Sequence, residues 1–378
     1  MDHICRFARF PGANATDTAR QTLYTGPANA SSAGGFYGAL LELRHWWARE
    51  LAAEGMMQLE LPSPPSTNGT YLATQALHSI VKSMITRQRR FHPRFGVKPG
   101  FGSDNTHGYP DVMTSTATAA LEIGALPYAR GVVANFFQHY VRDDGMLHLH
   151  GVALPATCRV LTVLSMLHGY DDGDSTLLLS LFPKARALAG WLASRRALSL
   201  RHPPSDPRHG IPQGEAHADN DVEIYRSHAR EPPYLYASGA EMYRAFADIG
   251  ATWQLVGQDT RRSDVSQHGV ELSSMAAELL HDLHASLNKT VRATGKAAAP
   301  RCWSMGLDGS GMVFGQNATR ADHQTWAMKA GRPHPPPPPP PSEAVPHREY
   351  PAMLYASALT EQQVEDVYDY MNYVTSSA

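Results

Sequence analysis

Cysteine is scarce in this chain. Cys5, Cys158 and Cys302 are the only three cysteines in 378 residues, and they stand far apart. An odd number of widely spaced cysteines indicates neither a disulfide framework nor the close pairs of a zinc knuckle. Cysteine usage therefore leaves the redox compartment open.

Long apolar runs are missing as well. The start, MDHICRFARF, lacks the apolar core of a signal peptide. No stretch approaches the roughly 18 continuous apolar residues of a membrane span. We expect either a soluble intracellular protein or a sequence whose first methionine is not the natural start, and the localisation stays unassigned.

Neither sign of charge dominates. The chain has 33 Lys and Arg against 35 Asp and Glu, so its net charge is −2. This balance argues against a nucleic acid or an anionic membrane as a partner attracted by bulk charge. Hydrophobic residues make up 43% of the chain, which is typical of a globular protein with a sizeable core.

Histidine is abundant but scattered. The tripeptide His148-Leu-His150 could offer two metal ligands from one face of a strand. A structural or catalytic metal site needs at least one more protein ligand, and the sequence shows none nearby. We therefore predict no metal, and no other cofactor motif is evident.

Apolar residues recur at helical spacing over most of the chain. Residues 1–34 read as an irregular lead-in rich in Ala, Ser, Thr and Gly, and residues 35–378 as one all-α domain. Almost no segment alternates in the manner of a strand. The nine predicted helices cover 36–51, 71–91, 110–124, 127–141, 155–170, 175–198, 238–257, 263–291 and 360–373.

Connections between these helices alternate between short and long. Short turns join the two helices of a hairpin, and long polar loops separate one hairpin from the next. In a ring of hairpins this alternation gathers the long loops on one face, where a site can form. The loop 199–233 is long for a compact domain, and such loops are usually functional or disordered.

Residues 332–341, RPHPPPPPPP, belong to no predicted helix. Seven consecutive prolines predict an extended polyproline II segment. We interpret it as an insertion in a surface loop. The alternative is a ligand for a polyproline-recognising protein with an SH3-, WW- or profilin-like domain, although no flanking signature favours it.

The strongest chemical signal lies between Gly210 and Gly257, where an acidic loop and an aromatic pair precede an amphipathic helix. One carboxyl can protonate a glycosidic oxygen and another can activate water, while aromatic faces hold the sugar. The alternative is a solvated surface loop. The acids are Glu215, Asp219, Asp221 and Glu223, and the aromatic pair is Tyr234 and Tyr236.

Four segments together resemble the six-hairpin glycosidase superfamily, whose fold is the (α/α)6 toroid. They are residues 101–151 with the motif VRDDGM, 161–196, 206–221 continued by 238–253, and 349–371. The resemblance implies a toroid of antiparallel helical hairpins, possibly incomplete. Fold alone does not decide activity, because relatives include hydrolases, lyases and inactive members.

Three departures from that family pattern are visible. About nine helices are predicted, whereas a full toroid has twelve. The acidic loop reads QGEAHADND, with His217 between Glu215 and Asp219, where relatives often have adjacent acids. The polyproline segment interrupts what would be a hairpin.

The resemblance implies a glycoside hydrolase-like protein with an inverting acid/base mechanism. The candidate catalytic acids are Glu215 and Asp219 in the acidic loop and Asp104 in the earlier loop GSDNTHGY. Asp104 could instead cap a helix or form a turn. The alternative function is a non-catalytic carbohydrate-binding or interaction protein on the same fold.

Loop residues near these acids are the candidate sugar contacts. We expect the aromatic residues among them to stack on sugar faces. Asp143 and Asp144 stand at a helix end before Gly145, which favours a turn role, but their loop position keeps Asp144 as a candidate. The predicted substrate-binding residues are His107, Asp144, His217, Tyr234, Tyr236 and Trp303.

Two sequence pairs resemble capping boxes, in which a Ser or Thr is followed three residues later by Glu or Gln. Thr360 with Gln363 is one, and Ser238 with Glu241 is the other. Asp174 and Ser175 are further candidates to cap the helix that follows them.

Overall fold

The fold is known from a computed structural model. It describes residues 41–46, 48–49, 79, 110–147, 153–171, 173–214, 234–292, 302–303 and 353–365. Within these ranges helices predominate, and no strand is longer than two residues. The expected all-α class is therefore confirmed for the part of the chain that is described.

Six long helices form three consecutive hairpins. They are α1 (Pro110–Glu122), α2 (Leu126–Tyr140), α3 (Leu154–Tyr170), α4 (Thr176–Ser199), α5 (Tyr236–Asp259) and α6 (Ser263–Thr290). The strands β1 (Val291–Arg292) and β2 (Cys302–Trp303) pair antiparallel after α6. Further helical residues are 41–46, 48–49, 79, 353–355 and 361–365.

The ends of these six helices agree with the predicted ends to within two residues. Local chemistry explains the agreement. Pro127 stands in the first turn of α2, where its missing N–H costs nothing. Before α4, the Thr176 N–H donates to Asp174 Oδ1 at 2.9 Å, so Asp174 rather than Ser175 supplies the side-chain cap.

The two predicted capping boxes have opposite outcomes. At Thr360 the box is confirmed, because its N–H donates to Gln363 Oε1 at 2.9 Å and Gln363 N–H donates to Thr360 Oγ1 at 3.3 Å. The box at Ser238 and Glu241 is wrong. Helix α5 already begins at Tyr236, so Ser238 is not its N-cap, and Glu241 pairs with another helix instead.

Side-chain contacts show that α3 runs parallel to α5. Arg159, early in α3, bonds Glu241, early in α5, and Ser165 further along α3 bonds Thr252 further along α5. The sequence separations, 82 and 87 residues, are nearly equal. Two antiparallel helices would instead pair the start of one with the end of the other.

The second helices of the hairpins also run parallel to one another. Arg130, near the start of α2, bonds Asp174 just before α4, while Lys184 within α4 donates to the Gln138 carbonyl near the end of α2. Arg196 near the end of α4 bonds Asp282 in the last third of α6. The helices α2, α4 and α6 therefore run parallel as well.

Two layers follow from these contacts. The first layer is α1, α3 and α5, in which α3 packs against both neighbours, and the second layer is α2, α4 and α6. The short connections 123–125, 171–175 and 260–262 lie where the first-layer helices end, which we call the short-turn end. The described residues of the longer connections lie at the opposite end, which we call the long-loop end, and they are 141–147, 153, 200–214 and 234–235. The expected gathering of the long loops on one face of a toroid stays a prediction, because parts of both long connections lie outside the described residues.

The core fills the space between the layers. Its largest fully buried side chains include Trp253, Phe136 and Phe246. Helices α5 and α6 approach so closely that a Cβ at Gly257 would lie 2.4 Å from the Ser266 nitrogen. None of the described helices combines the length and apolar character that crossing a membrane requires.

Candidate functional site

Several predicted features lie outside the described residues. The lead-in 1–34, the polyproline segment 332–341 and the pair His148 and His150 are among them. The same holds for five of the predicted site residues, namely Asp104, His107, Glu215, His217 and Asp219. Their positions are constrained only through the described residues on either side.

Both ends of the acidic loop are described, and they lie side by side. Gln213 and Tyr234 form an isolated antiparallel bridge, so the chain leaves and returns at one place. That place is directly before Tyr236, the first residue of α5. The bridge therefore lies at the long-loop end of the first layer.

A polar cluster surrounds this bridge. A hydrogen bond of 2.9 Å joins Tyr234 Oη and His202 Nε2, and the Arg208 guanidinium carbon lies 5.8 Å from the Tyr234 ring centroid. Arg208 also pairs with Asp206 at 2.9 Å. Although burial raises the pKa of Asp206, the hydrogen bonds from Arg208 outweigh it, and the net pKa is lowered. The base of the acidic loop is thus held by charged and aromatic contacts.

Two of the predicted sugar-stacking residues are not in loops. Tyr236 is fully buried as the first residue of α5 and packs in an apolar cluster with Ile211 and Leu283. The expectation of a loop aromatic at Tyr236 is therefore wrong, and its ring has no face to offer a sugar in this conformation. Trp303 lies in β2, paired with Val291 of β1, rather than in a loop.

The sequence Arg-Asp-Asp-Gly-Met forms a tight turn after α2, as its turn reading predicts. Asp144 Oδ1 accepts the Met146 N–H at 3.0 Å, and Asp144 Oδ2 pairs with Arg142 at 2.7 Å. The predicted contact Asp144 is exposed in an open groove of about 460 Å³. The groove is lined by Gln138, His139, Val141, Arg142, Asp143, Asp144 and Lys184.

The structure reveals one buried carboxylate that the motif analysis misassigned. Glu241, in the second turn of α5, is 0% exposed. Arg159 of α3 donates to Glu241 Oε1 from Nε at 2.8 Å and also from Nη2. The other oxygen, Oε2, has no hydrogen-bond partner among the described residues. This carboxyl group is therefore buried with only half of its acceptor capacity used.

Burial and the neighbouring cations act on Glu241 in opposite directions. Desolvation raises the pKa of this carboxyl, while Arg159 and then Arg244 lower it, and burial prevails. For Arg159 burial lowers the pKa, but the hydrogen bond to Glu241 and the charges of Glu241, Tyr355 and Asp111 together raise it by more, so the guanidinium stays charged. The proton affinity of Glu241 is accordingly higher than that of a solvated glutamate.

Tyr355 completes this group. Its ring centroid lies 5.6 Å from the Arg159 guanidinium carbon and 5.7 Å from that of Arg244, within cation–π range of both. Arg244 Nη1 donates to the Tyr355 carbonyl at 3.1 Å, and its Nε pairs with Asp248. Tyr355 is 45% exposed. We call these five residues (Arg159, Glu241, Arg244, Asp248 and Tyr355) the Glu241 cluster.

A sequence signal for this cluster exists in α5. Glu241, Arg244 and Asp248 follow one another at spacings of three and four residues, so they share one face of a helix. The rest of the first three turns is almost entirely apolar or small. A charged stripe inside an apolar helix predicts buried or partly buried ion pairs, but it does not name the partners on other helices.

Comparison of the chain with known protein families, curated proteins and solved structures finds no match. Among the described residues, no three His, Cys, Asp or Glu side chains come together in a way that could hold a metal ion. The described part of the site consists of ion pairs and aromatic rings at the long-loop end.

Proposed function

We propose that the protein is a glycoside hydrolase-like protein that acts on or binds carbohydrate at the long-loop end of its helical hairpins. The bridge between Gln213 and Tyr234 is the observation that carries this proposal. Gln213 and Tyr234 stand on either side of the acidic loop, and the bridge between them lies next to the start of α5 at the long-loop end. A concave site with convergent polar groups is the usual setting for sugar chemistry.

The proposed acids stand in the sequence close to helices that begin at the same end. Glu215 follows Gln213 by two residues, and Asp104 precedes Pro110, the first residue of α1, by six. Both α1 and α5 begin at the long-loop end. An inverting hydrolase requires two carboxyl groups about 6.5–9.5 Å apart with a water between them. In our proposal Glu215 or Asp219 supplies one of these groups and Asp104 the other.

The layered hairpins support a ring as the complete architecture. Three hairpins with parallel first-layer helices would make up half of an (α/α)6 toroid. In that arrangement the first layer is the inner ring, and its long-loop end opens onto the central cavity. The Glu241 cluster, with its raised carboxyl pKa, lies at this end, as perturbed ionisable groups at functional sites commonly do.

Turnover of a panel of aryl glycosides tests the proposal directly. We expect the wild-type chain to hydrolyse at least one member of the panel. Glu215→Gln and Asp219→Asn should each lower the rate by about 10²–10⁴, since the amide cannot transfer a proton. Their free energies of unfolding should stay within about 0.5 kcal/mol of wild type, as for loop positions.

Asp143→Asn is the matched control. Asp143 is an exposed acid at the same end of the molecule, in the turn after α2. Its amide should leave turnover essentially unchanged. If Asp143→Asn abolishes turnover while Glu215→Gln keeps full activity, the catalytic acids have been assigned to the wrong loop. Sugar binding by the wild type without any turnover would instead establish the non-catalytic function.

A further inference from the structure

The Glu241 cluster has features that a purely structural ion pair does not need. Burying a charged pair is a weak source of stability, because desolvation offsets the attraction. Here the carboxylate is fully buried, yet its Oε2 has no partner among the described residues. The arginine that it holds is 29% exposed, and the adjoining tyrosine is 45% exposed. The cluster thus combines a buried carboxylate, Glu241, with two partly exposed side chains, Arg159 and Tyr355.

Arg159 retains donor capacity beyond its bonds to Glu241. A guanidinium has five N–H donors. Arg159 directs Nε and Nη2 at the same oxygen, Glu241 Oε1, and no hydrogen bond in the described part of the chain uses its Nη1. Because Glu241 fixes the plane of the guanidinium, the remaining N–H groups have a defined direction.

The charges of the cluster exclude a strongly anionic ligand. Arg159 is balanced by Glu241, and Arg244 is balanced by Asp248. Asp111 at the start of α1 adds a further negative charge that acts on Arg159. The cluster therefore has no surplus positive charge with which to bind a carboxylate, sulfate or phosphate group.

We propose that Tyr355 and Arg159 form a subsite for a neutral carbohydrate residue, with Glu241 as the positioning residue for Arg159. The exposed Tyr355 ring packs against the apolar face of the sugar, and Arg159 donates to a sugar hydroxyl. An aromatic face beside a fixed donor suits this ligand, since a pyranose has C–H groups on its faces and hydroxyls at its edge. This inference rests on the proposed function and names a contact and a substrate class for it.

Binding measured without turnover tests the subsite. The probes are neutral trisaccharides, maltotriose and cellotriose, titrated against the full chain and followed by saturation-transfer NMR. We expect Tyr355→Ala to weaken binding about tenfold, the equivalent of losing one aromatic contact. Tyr355→Phe should bind within about twofold of wild type, because it keeps the ring.

Tyr170→Ala is the matched control. Tyr170 is 49% exposed, almost the same as Tyr355, but it lies at the short-turn end of α3. Its removal should leave trisaccharide binding unchanged. If Tyr170→Ala weakens binding as much as Tyr355→Ala, the subsite is at the wrong end of the molecule or the contact is nonspecific.

A double-mutant cycle tests the role of Glu241. Glu241→Gln keeps an acceptor for Arg159 but loses the charge that orients it. We expect Glu241→Gln to weaken binding in the wild-type background and to have no further effect once Arg159 is replaced by lysine. With an active substrate, the change should appear in KM rather than in kcat. Equal effects of Glu241→Gln in both backgrounds would overturn the positioning role.

The remaining outcomes separate the subsite from the proposed function. If Tyr355→Ala binds the trisaccharides as tightly as wild type while Glu215→Gln loses turnover, the subsite is overturned and the proposed function stands. Tighter binding of an acidic than of a neutral trisaccharide overturns the neutral class. If the wild type neither binds nor hydrolyses any neutral glycoside, both proposals fail.

Discussion

The exposed carboxylates of two short turns contrast with the buried carboxylate of the Glu241 cluster. At the short-turn end, Asp174 and Asp264 are exposed, and each is held by an arginine. Bonds from Thr176 lower the pKa of Asp174 to about 2, and bonds from Arg262 do the same for Asp264. At the long-loop end, Glu241 is fully buried, and burial raises its pKa.

The two kinds of carboxylate differ in what they contribute to the stability of the fold. Exposed ion pairs add little stability, but they cap helices and close turns at little cost. A buried carboxylate with an unused oxygen costs free energy that the fold must recover elsewhere. Such groups are typical of functional sites, where the local environment is arranged for chemistry or binding rather than for stability.

The largest loss of stability should come from replacing a glycine that is closely packed, as a comparison of one glycine from each end shows. Gly145 at the long-loop end and Gly173 at the short-turn end have nearly the same φ, +84° and +81°. A Cβ at Gly145 would lie 2.0 Å from the Ala187 carbonyl oxygen, whereas one at Gly173 meets nothing within 4 Å. We expect Gly145→Ala to cost about 4 kcal/mol and Gly173→Ala about 1 kcal/mol in urea unfolding. Equal losses would mean that the turn after α2 is not packed against α4.

The next effect concerns the buried carboxylate itself. Glu241→Ala should lower the free energy of unfolding by about 3 kcal/mol, because Arg159 loses its partner while still largely buried. Glu241→Gln should cost less, since the amide oxygen can still accept from Arg159. The exposed acid Glu278, which pairs with Arg196, is the control, and Glu278→Ala should cost no more than about 1 kcal/mol.

Glu241 also predicts a pH dependence with a definite sign. A carboxyl whose folded pKa is raised favours the folded state below its ordinary value of 4.5, and this contribution is lost as the pH rises through the folded pKa. Wild type should therefore lose stability relative to Glu241→Gln as the pH increases above 4.5. A gain over the same range would show that Arg159 outweighs burial.

A smaller effect separates the two sequences that resemble capping boxes. Thr360→Ala should cost about 1 kcal/mol, because its hydroxyl accepts the Gln363 N–H at the start of a helix. Ser238→Ala should be nearly neutral, since Ser238 is inside α5 and its buried hydroxyl has no partner among the described residues. Thermal unfolding of the two variants checks the difference, and a large loss in Ser238→Ala would restore the capping role.

The smallest effect should appear at Asp174. Its folded pKa of about 2 lies below the ordinary 3.8, so its contribution is present above 3.8 and is lost as the pH falls toward 2. Asp174→Asn should remove that part of the acid sensitivity and change neutral-pH stability only slightly. Added salt should shrink the difference, because the pair is exposed. An unchanged melting profile between pH 4 and pH 2 would contradict the lowered pKa.

The sequence predicts the six long described helices well, whereas most of the predicted catalytic residues lie outside the described residues. Helical periodicity and caps such as Asp174 and Thr360 are local, so they are readable from neighbouring residues. The loop placement of Tyr236 failed because α5 begins two residues earlier than the periodicity indicates. Tyr236, which we predicted to bind substrate, is therefore part of the helix and buried in the core.

The alternation of short and long connections could be read from the chain, and it determined which helix ends lie together at the long-loop end of the hairpins. Only the tertiary structure decided which side chains meet there. Arg159 and Glu241 are 82 residues apart, and Arg244 lies 111 residues before Tyr355. Their contact depends on how α3 and α5 stack within one layer. Periodicity specifies which face of each helix is buried, but the stacking register sets which charges on those faces come together.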